Sequence, residues 1–191
     1  MLGHHHLLLG AACYLALWRH PVSTPLGQLG APVLGGPSLD GTPSLALIGT
    51  SLAIASASAL GPDLDKAGSS IARAGGWGTG ALAWGLEHTL HHRGPLHSLL
   101  ATIAVALLGN AVGAPLGVTD LGAVVGFGWT AHLLGDIGTR RGIPLFWPVP
   151  LHVRPPVTFT TGTWQEVVVL AGALAVCLAW GAQDLLGQLI S

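Results

Sequence analysis

Apolar residues gather along this chain in five stretches, about 5–18, 44–61, 97–115, 119–137 and 166–186, with ionisable side chains near their ends and in the connections. Most of the stretches approach the roughly 20 residues that cross a hydrocarbon core, which predicts an all-α, polytopic membrane helical bundle of about four to five hydrophobic segments. The stretch 5–18 is short, so it predicts a helix that crosses at a tilt, inserts halfway or re-enters. Between the stretches the pattern predicts a Gly/Pro-rich connection at 21–43, a polar loop at 62–96, a tight turn near 115–118 and a Pro-rich loop at 138–163. No internal repeat divides the chain, and residues 1–191 read as a single domain.

Composition strengthens the membrane reading. Half of the 191 residues are apolar and only 8% are charged, against about a quarter in an ordinary soluble domain. So few charges cannot coat a soluble surface. The 29 glycines and 13 prolines lie among Leu, Ala and Val, where small residues let membrane helices approach closely. A net charge of −1 and the lack of a basic tract with interleaved aromatics exclude a broad nucleic-acid surface. Cys13 and Cys177 have no CxxC-type neighbour and are expected to be small core residues. The start of the chain lacks a basic n-region and a small-residue cleavage site, so residues 1–18 predict a retained helix. The seven tryptophans suit an interfacial belt.

Six of the seven basic residues fall in two connections: Lys66, Arg73 and Arg93 in 62–96, and Arg140, Arg141 and Arg154 in 138–163. Two spans separate these connections, so both lie on one side, which the positive-inside tendency makes cytoplasmic.

An ionisable group near a membrane needs a partner, and five clusters need one here. They are His4-His5-His6; Asp63 and Asp65 after Pro62; His88, His91, His92, Arg93 and His97; His132 with Asp136; and Glu166. The topology gathers the last four at one membrane face, and His4-His5-His6 with them if the stretch 5–18 crosses fully. His132 and Asp136 are four apart in a helical run and share a face, which suits two ligands to one cation or a buried hydrogen-bonded pair. Asp63 and Asp65 alternate across an extended turn, as a ligand with a bridging or water-positioning partner, or as a helix-end turn with a capping aspartate. Gly94-Pro95 breaks the chain between His92 and His97, so both can converge on one site with Arg93 as an anion clamp. His88 and His91 suit a solvated loop, and His20 and His152 are lone loop histidines outside the site.

In these residues the chain resembles the YdjM-like family of inner-membrane, metal-dependent hydrolases. The resemblance runs in order through His6-Leu7-Leu8, Pro62-Asp63-Leu64-Asp65, the HRGxxHS block from His92 to Ser98, His132-Leu133 to Asp136, the Thr139 to Pro148 stretch, and Gly162 with Glu166. It departs from the family pattern at Lys66, Leu96 and Arg140. The resemblance implies a distant relationship to zinc-dependent phospholipases C and S1/P1-type nucleases, and hence phosphoester hydrolysis.

The resulting expectation is a membrane hydrolase in which His6, Asp63, His92, His97, His132 and Asp136 hold one or more divalent metals, with zinc favoured by the imidazoles. Asp65 would bridge metals or act as general base, Arg93 would stabilise phosphoryl charge, and Glu166 would support or add a ligand. Membrane lipids are the expected neighbours, and a lipid headgroup or small-molecule phosphoester the expected substrate. The alternatives are a metal-binding or transport protein without hydrolysis, and a structural membrane protein whose histidines join helices.

Overall fold

The computed structural model describes residues 1–19, 22–24, 27–29, 34, 44–90 and 94–181. The helix starts follow from their first residues. The Ser44, Ser69 and Ser98 hydroxyls each accept a bond from the amide three residues on, at 3.2 Å, satisfying a backbone donor that a helix start leaves without a partner. These serines open α2 (Leu45–Ser58), α3 (Ser70–Ala74) and α5 (Leu99–Gly113). The remaining helices are α1 (Gly3–Arg19), α4 (Gly76–Leu90), α6 (Leu121–Ile137) and α7 (Trp164–Gly181). Pro62, Pro95 and Pro115 begin short 3-10 turns at Gly61–Asp65, Pro95–His97 and Ala114–Leu116, positions where a missing N–H costs little. Beyond these helices and turns, the described residues form one two-stranded antiparallel hairpin, β1 (Val22–Thr24) with β2 (Gly27–Leu29), and two isolated bridges.

The all-α architecture and the five apolar segments correspond to α1, α2, α5, α6 and α7. Two stretches, Leu45–Asp65 and Leu99–Leu116, are long and apolar enough to cross a membrane, while α6 and α7 are shorter apolar helices. The polar loop expected at 62–96 is corrected: it contains α3 and α4. Four glycines within α4 weaken its helical signal. One side of it nevertheless packs, with Ala83 fully buried and Thr79 Oγ1 donating to the Ala72 carbonyl at 2.9 Å, while Trp77, Leu82 and Trp84 stay exposed. Gly76, at φ +74°, makes the bend between α3 and α4 that a side chain would resist. The extended turn expected after Pro62 is likewise a 3-10 turn.

Helix α6 is the central element, packed against α5, α2 and α1. Small residues permit that approach: a Cβ on Gly128 would lie 1.9 Å from the Ala55 carbonyl oxygen and 2.0 Å from Ser58 Oγ. Gly128→Val is therefore expected to lower stability by roughly 1–3 kcal/mol or more, the range for overpacking, read as a lower melting temperature in detergent. An unchanged melting curve would contradict this α2–α6 contact. Meanwhile α5 turns Leu99, Leu100, Ile103, Leu107, Leu108 and Val112 outward, an apolar exterior that hydrocarbon can solvate.

Helix α1 packs along α7 through Met1, Leu9, Phe159 and Leu170. The two thiols, expected as small core residues, meet in this seam with Cys13 Sγ 3.9 Å from Cys177 Sγ. Mild oxidation of membranes is expected to join them, the oxidant taking both hydrogens. The readout is a Cys13–Cys177 linked peptide that disappears in Cys13→Ser; failure to cross-link would place the two helices apart.

Candidate metal centre

Five segment ends converge at one end of the helix bundle: the start of α1, the turn after α2, the turn before α5, the end of α6 and the start of α7. Each supplies an ionisable side chain. His6, His97, His132 and Asp65 are fully enclosed, Asp136 is 1% exposed, and Asp63 is half-buried. The packing holding them is apolar and specific. The Trp129 indole donates to the Leu96 carbonyl at 2.9 Å, fixing the His97 turn to α6. The Leu99 amide bonds to the Leu145 carbonyl at 2.9 Å, which ties the start of α5 to the 138–163 connection.

The imidazoles are oriented from behind. His132 Nδ1 donates to the Ala59 carbonyl at 2.7 Å, which leaves Nε2 with its lone pair. His97 Nδ1 faces Asp65 Oδ2 at 3.2 Å, a charge contact that favours the same tautomer. The two Nε2 atoms then point at one another, 3.3 Å apart. Each is also 3.8 Å from Asp136 Oδ2, and Asp63 Oδ1 lies 3.9 Å from His97 Nε2 and 3.8 Å from His132 Nε2. Ligand atoms at zinc-like bond lengths in a tetrahedron stand about 3.4 Å apart. Two facing lone pairs repel unless a cation lies between them.

His6 completes the cluster from α1. Its ring stacks on His132 with centroids 3.6 Å apart and planes 14° from parallel. Among the described residues neither His6 nitrogen makes a hydrogen bond of good geometry, although Nε2 is 3.3 Å from Asp136 Oδ1. The Met1 amino nitrogen also contacts Asp136 Oδ1. The donors fall into three overlapping groups able to hold a metal ion: His6, Asp63 and His132; His97, His132 and Asp136; and Asp63, Asp65 and His97. A buried imidazole with unsatisfied nitrogens beside converging carboxylates fits a divalent metal.

Of the expected site residues, His6, Asp63, His97, His132 and Asp136 therefore come together, with Asp65 behind His97. Glu166 does different work. Its Oε1 accepts from the Leu2 amide at 2.6 Å and contacts His5 Nδ1 at 2.7 Å, while its Oε2 accepts from the Gly162 amide at 2.6 Å. It fastens α1 to α7 and so holds His6 in place. His92 and Arg93 lie outside the described residues, as do His20 and His91. His88 donates Nδ1 to the Trp84 carbonyl of its own helix at 2.8 Å and joins none of the three groups. Two contributors carried no signal in the spacing: His5, as the partner of Glu166, and Glu87, whose Oε2 accepts from the Ala67 amide at 2.9 Å and steadies the segment after Asp65.

Comparison with known proteins places the chain in a family. The family model described as YdjM inner membrane protein matches residues 1–189. An uncharacterized protein, YvsG, of Bacillus subtilis (strain 168) is 33% identical over 87 residues, which cover 45% of this chain and 52% of that one. The chain thus matches about half the length of that relative. No solved structure matches it.

Proposed function

The chain belongs to the YdjM inner membrane protein family, and we propose that it acts there as a membrane-bound, metal-dependent hydrolase of phosphoesters. The facing Nε2 atoms of His97 and His132, 3.3 Å apart inside a buried ring of carboxylates, carry this reading. Three imidazoles with carboxylates favour zinc among the divalent metals. When bound, the metal would polarise the phosphoryl oxygen and lower the pKa of a water towards neutrality.

The chain's own residues do the rest. His132, locked by the Ala59 carbonyl, and His97, backed by Asp65, present fixed lone pairs and need no reorganisation. Asp65 faces the ring of His97, which suits it to orienting that ligand. Asp63, half-buried and lining a neighbouring cavity, serves as a metal ligand on the side open to substrate. Arg93, which lies outside the described residues, is proposed from the sequence alone as an anion clamp. We further propose that α1, α2, α5, α6 and α7 cross the membrane, with the cluster at the cytoplasmic face where the basic connections lie. A lipid headgroup suits that position.

The test is elemental mass spectrometry on untagged protein purified in detergent, for wild type and the His132→Ala/Asp136→Ala double variant. About one or more metal ions per chain, lost in the variant together with phosphodiester hydrolysis, is the expected result. Protein that takes up no metal after incubation with zinc, manganese or iron overturns it.

A further inference from the structure

A cavity of about 320 Å³ opens beside the cluster, and its wall includes Asp63 and Asp136 together with Lys66, Arg73, Arg141 and Ser69. The three cations come from separate parts of the chain: Lys66 from the end of the 3-10 turn, Arg73 from α3, and Arg141 from the connection after α6. Among the described residues none of them is paired with a carboxylate. Three like charges around one concave surface repel each other and raise the local concentration of anions. Guanidinium groups match the oxygen geometry of phosphate. Asp63 and Asp136 supply two opposing charges on the same wall, and both are candidate metal ligands whose charge the metal would offset.

We propose that Lys66, Arg73 and Arg141 form a phosphate-binding subsite, so that the substrate class is an anionic phosphate ester rather than a neutral ester or amide. The reacting phosphoryl group sits between these cations and the His/Asp cluster, with its alcohol portion towards the mouth of the cavity. This inference rests on the hydrolase reading for its metal, but the cations are tested separately from the ligands. Arg140 is the neighbouring control: like Lys66, Arg73 and Arg141 it is exposed and carries the same charge, but it does not line this cavity.

The experiment titrates inorganic phosphate into the zinc-loaded protein in detergent, by calorimetry, with metal content measured on the same samples. Arg73→Gln/Arg141→Gln is expected to weaken phosphate binding roughly tenfold or more, leaving metal content unchanged, whereas Arg140→Gln leaves both unchanged. Equal binding by all three proteins, an equal loss in Arg140→Gln, or no binding by metal-loaded wild type overturns the subsite. If wild type holds no metal yet loses phosphate binding in the double variant alone, the subsite stands and the hydrolase reading falls. Competition by glycerol phosphate against phosphatidic acid in mixed micelles then separates the two sources of the phosphate. Stronger competition by the micellar ester assigns a lipid, and stronger competition by the soluble ester assigns a small metabolite.

Discussion

Asp136→Asn is expected to cut metal affinity by more than about 100-fold, beyond the 10- to 100-fold typical of losing a residue that only orients a ligand. The reason is the centrality of this carboxylate. Oδ1 meets His6 at 3.3 Å, and Oδ2 lies 3.8 Å from both His97 and His132. Asparagine preserves the shape but offers one neutral oxygen and an amide that cannot ligate in the same way. Folding should survive at some cost in stability, because the Met1 amino group loses its charged partner while the side chain keeps its shape. Thermal shift with and without zinc makes the distinction: wild type should gain about 2.7 kcal/mol when the metal reaches 100 times its Kd, and the variant almost none. A full metal-induced shift in Asp136→Asn would remove this residue from the centre.

Glu166→Ala should behave in the opposite way, with a loss of stability that zinc does not restore. Its buried carboxylate accepts from the Leu2 and Gly162 amides and holds His5. Removing it takes the acceptor from the part-buried Leu2 and Gly162 amides and from buried His5, at about 0.5–1.5 kcal/mol each, so a total of roughly 2–4 kcal/mol and a melting temperature on the order of 10 °C lower are expected. Glu166→Gln keeps an acceptor and should lose less. A melting temperature unchanged in the alanine variant would show that α1 is secured elsewhere.

These two outcomes separate ligands from supports, a division only partly legible in the sequence. The pairing of His132 with Asp136 was readable because four residues make about one helical turn, and Pro95 marked the turn that carries His97. Asp63 and Asp65 were readable as a carboxylate pair but not by direction. In a 3-10 turn, residues two apart stand about 240° apart around the axis, so Asp65 faces His97 while Asp63 lines the cavity. The tautomer locks were not legible either, since a backbone carbonyl such as that of Ala59 leaves no trace in residue type. The meeting of Cys13 with Cys177 depends on tertiary packing across 164 positions. Helix α4 was hidden by its glycines, whose unfavourable propensity was outweighed by packing against α3.

The bond network of Glu166 has a further consequence for the order of assembly. His6 precedes every other candidate ligand in the chain, yet the carboxylate that secures its helix belongs to the last described helix and contacts Leu2 and His5 across more than 160 positions. The earliest ligand is therefore positioned last. Until α7 has docked, the network that secures His6 is incomplete, so the proposed metal cage would close only when the first and last described helices meet.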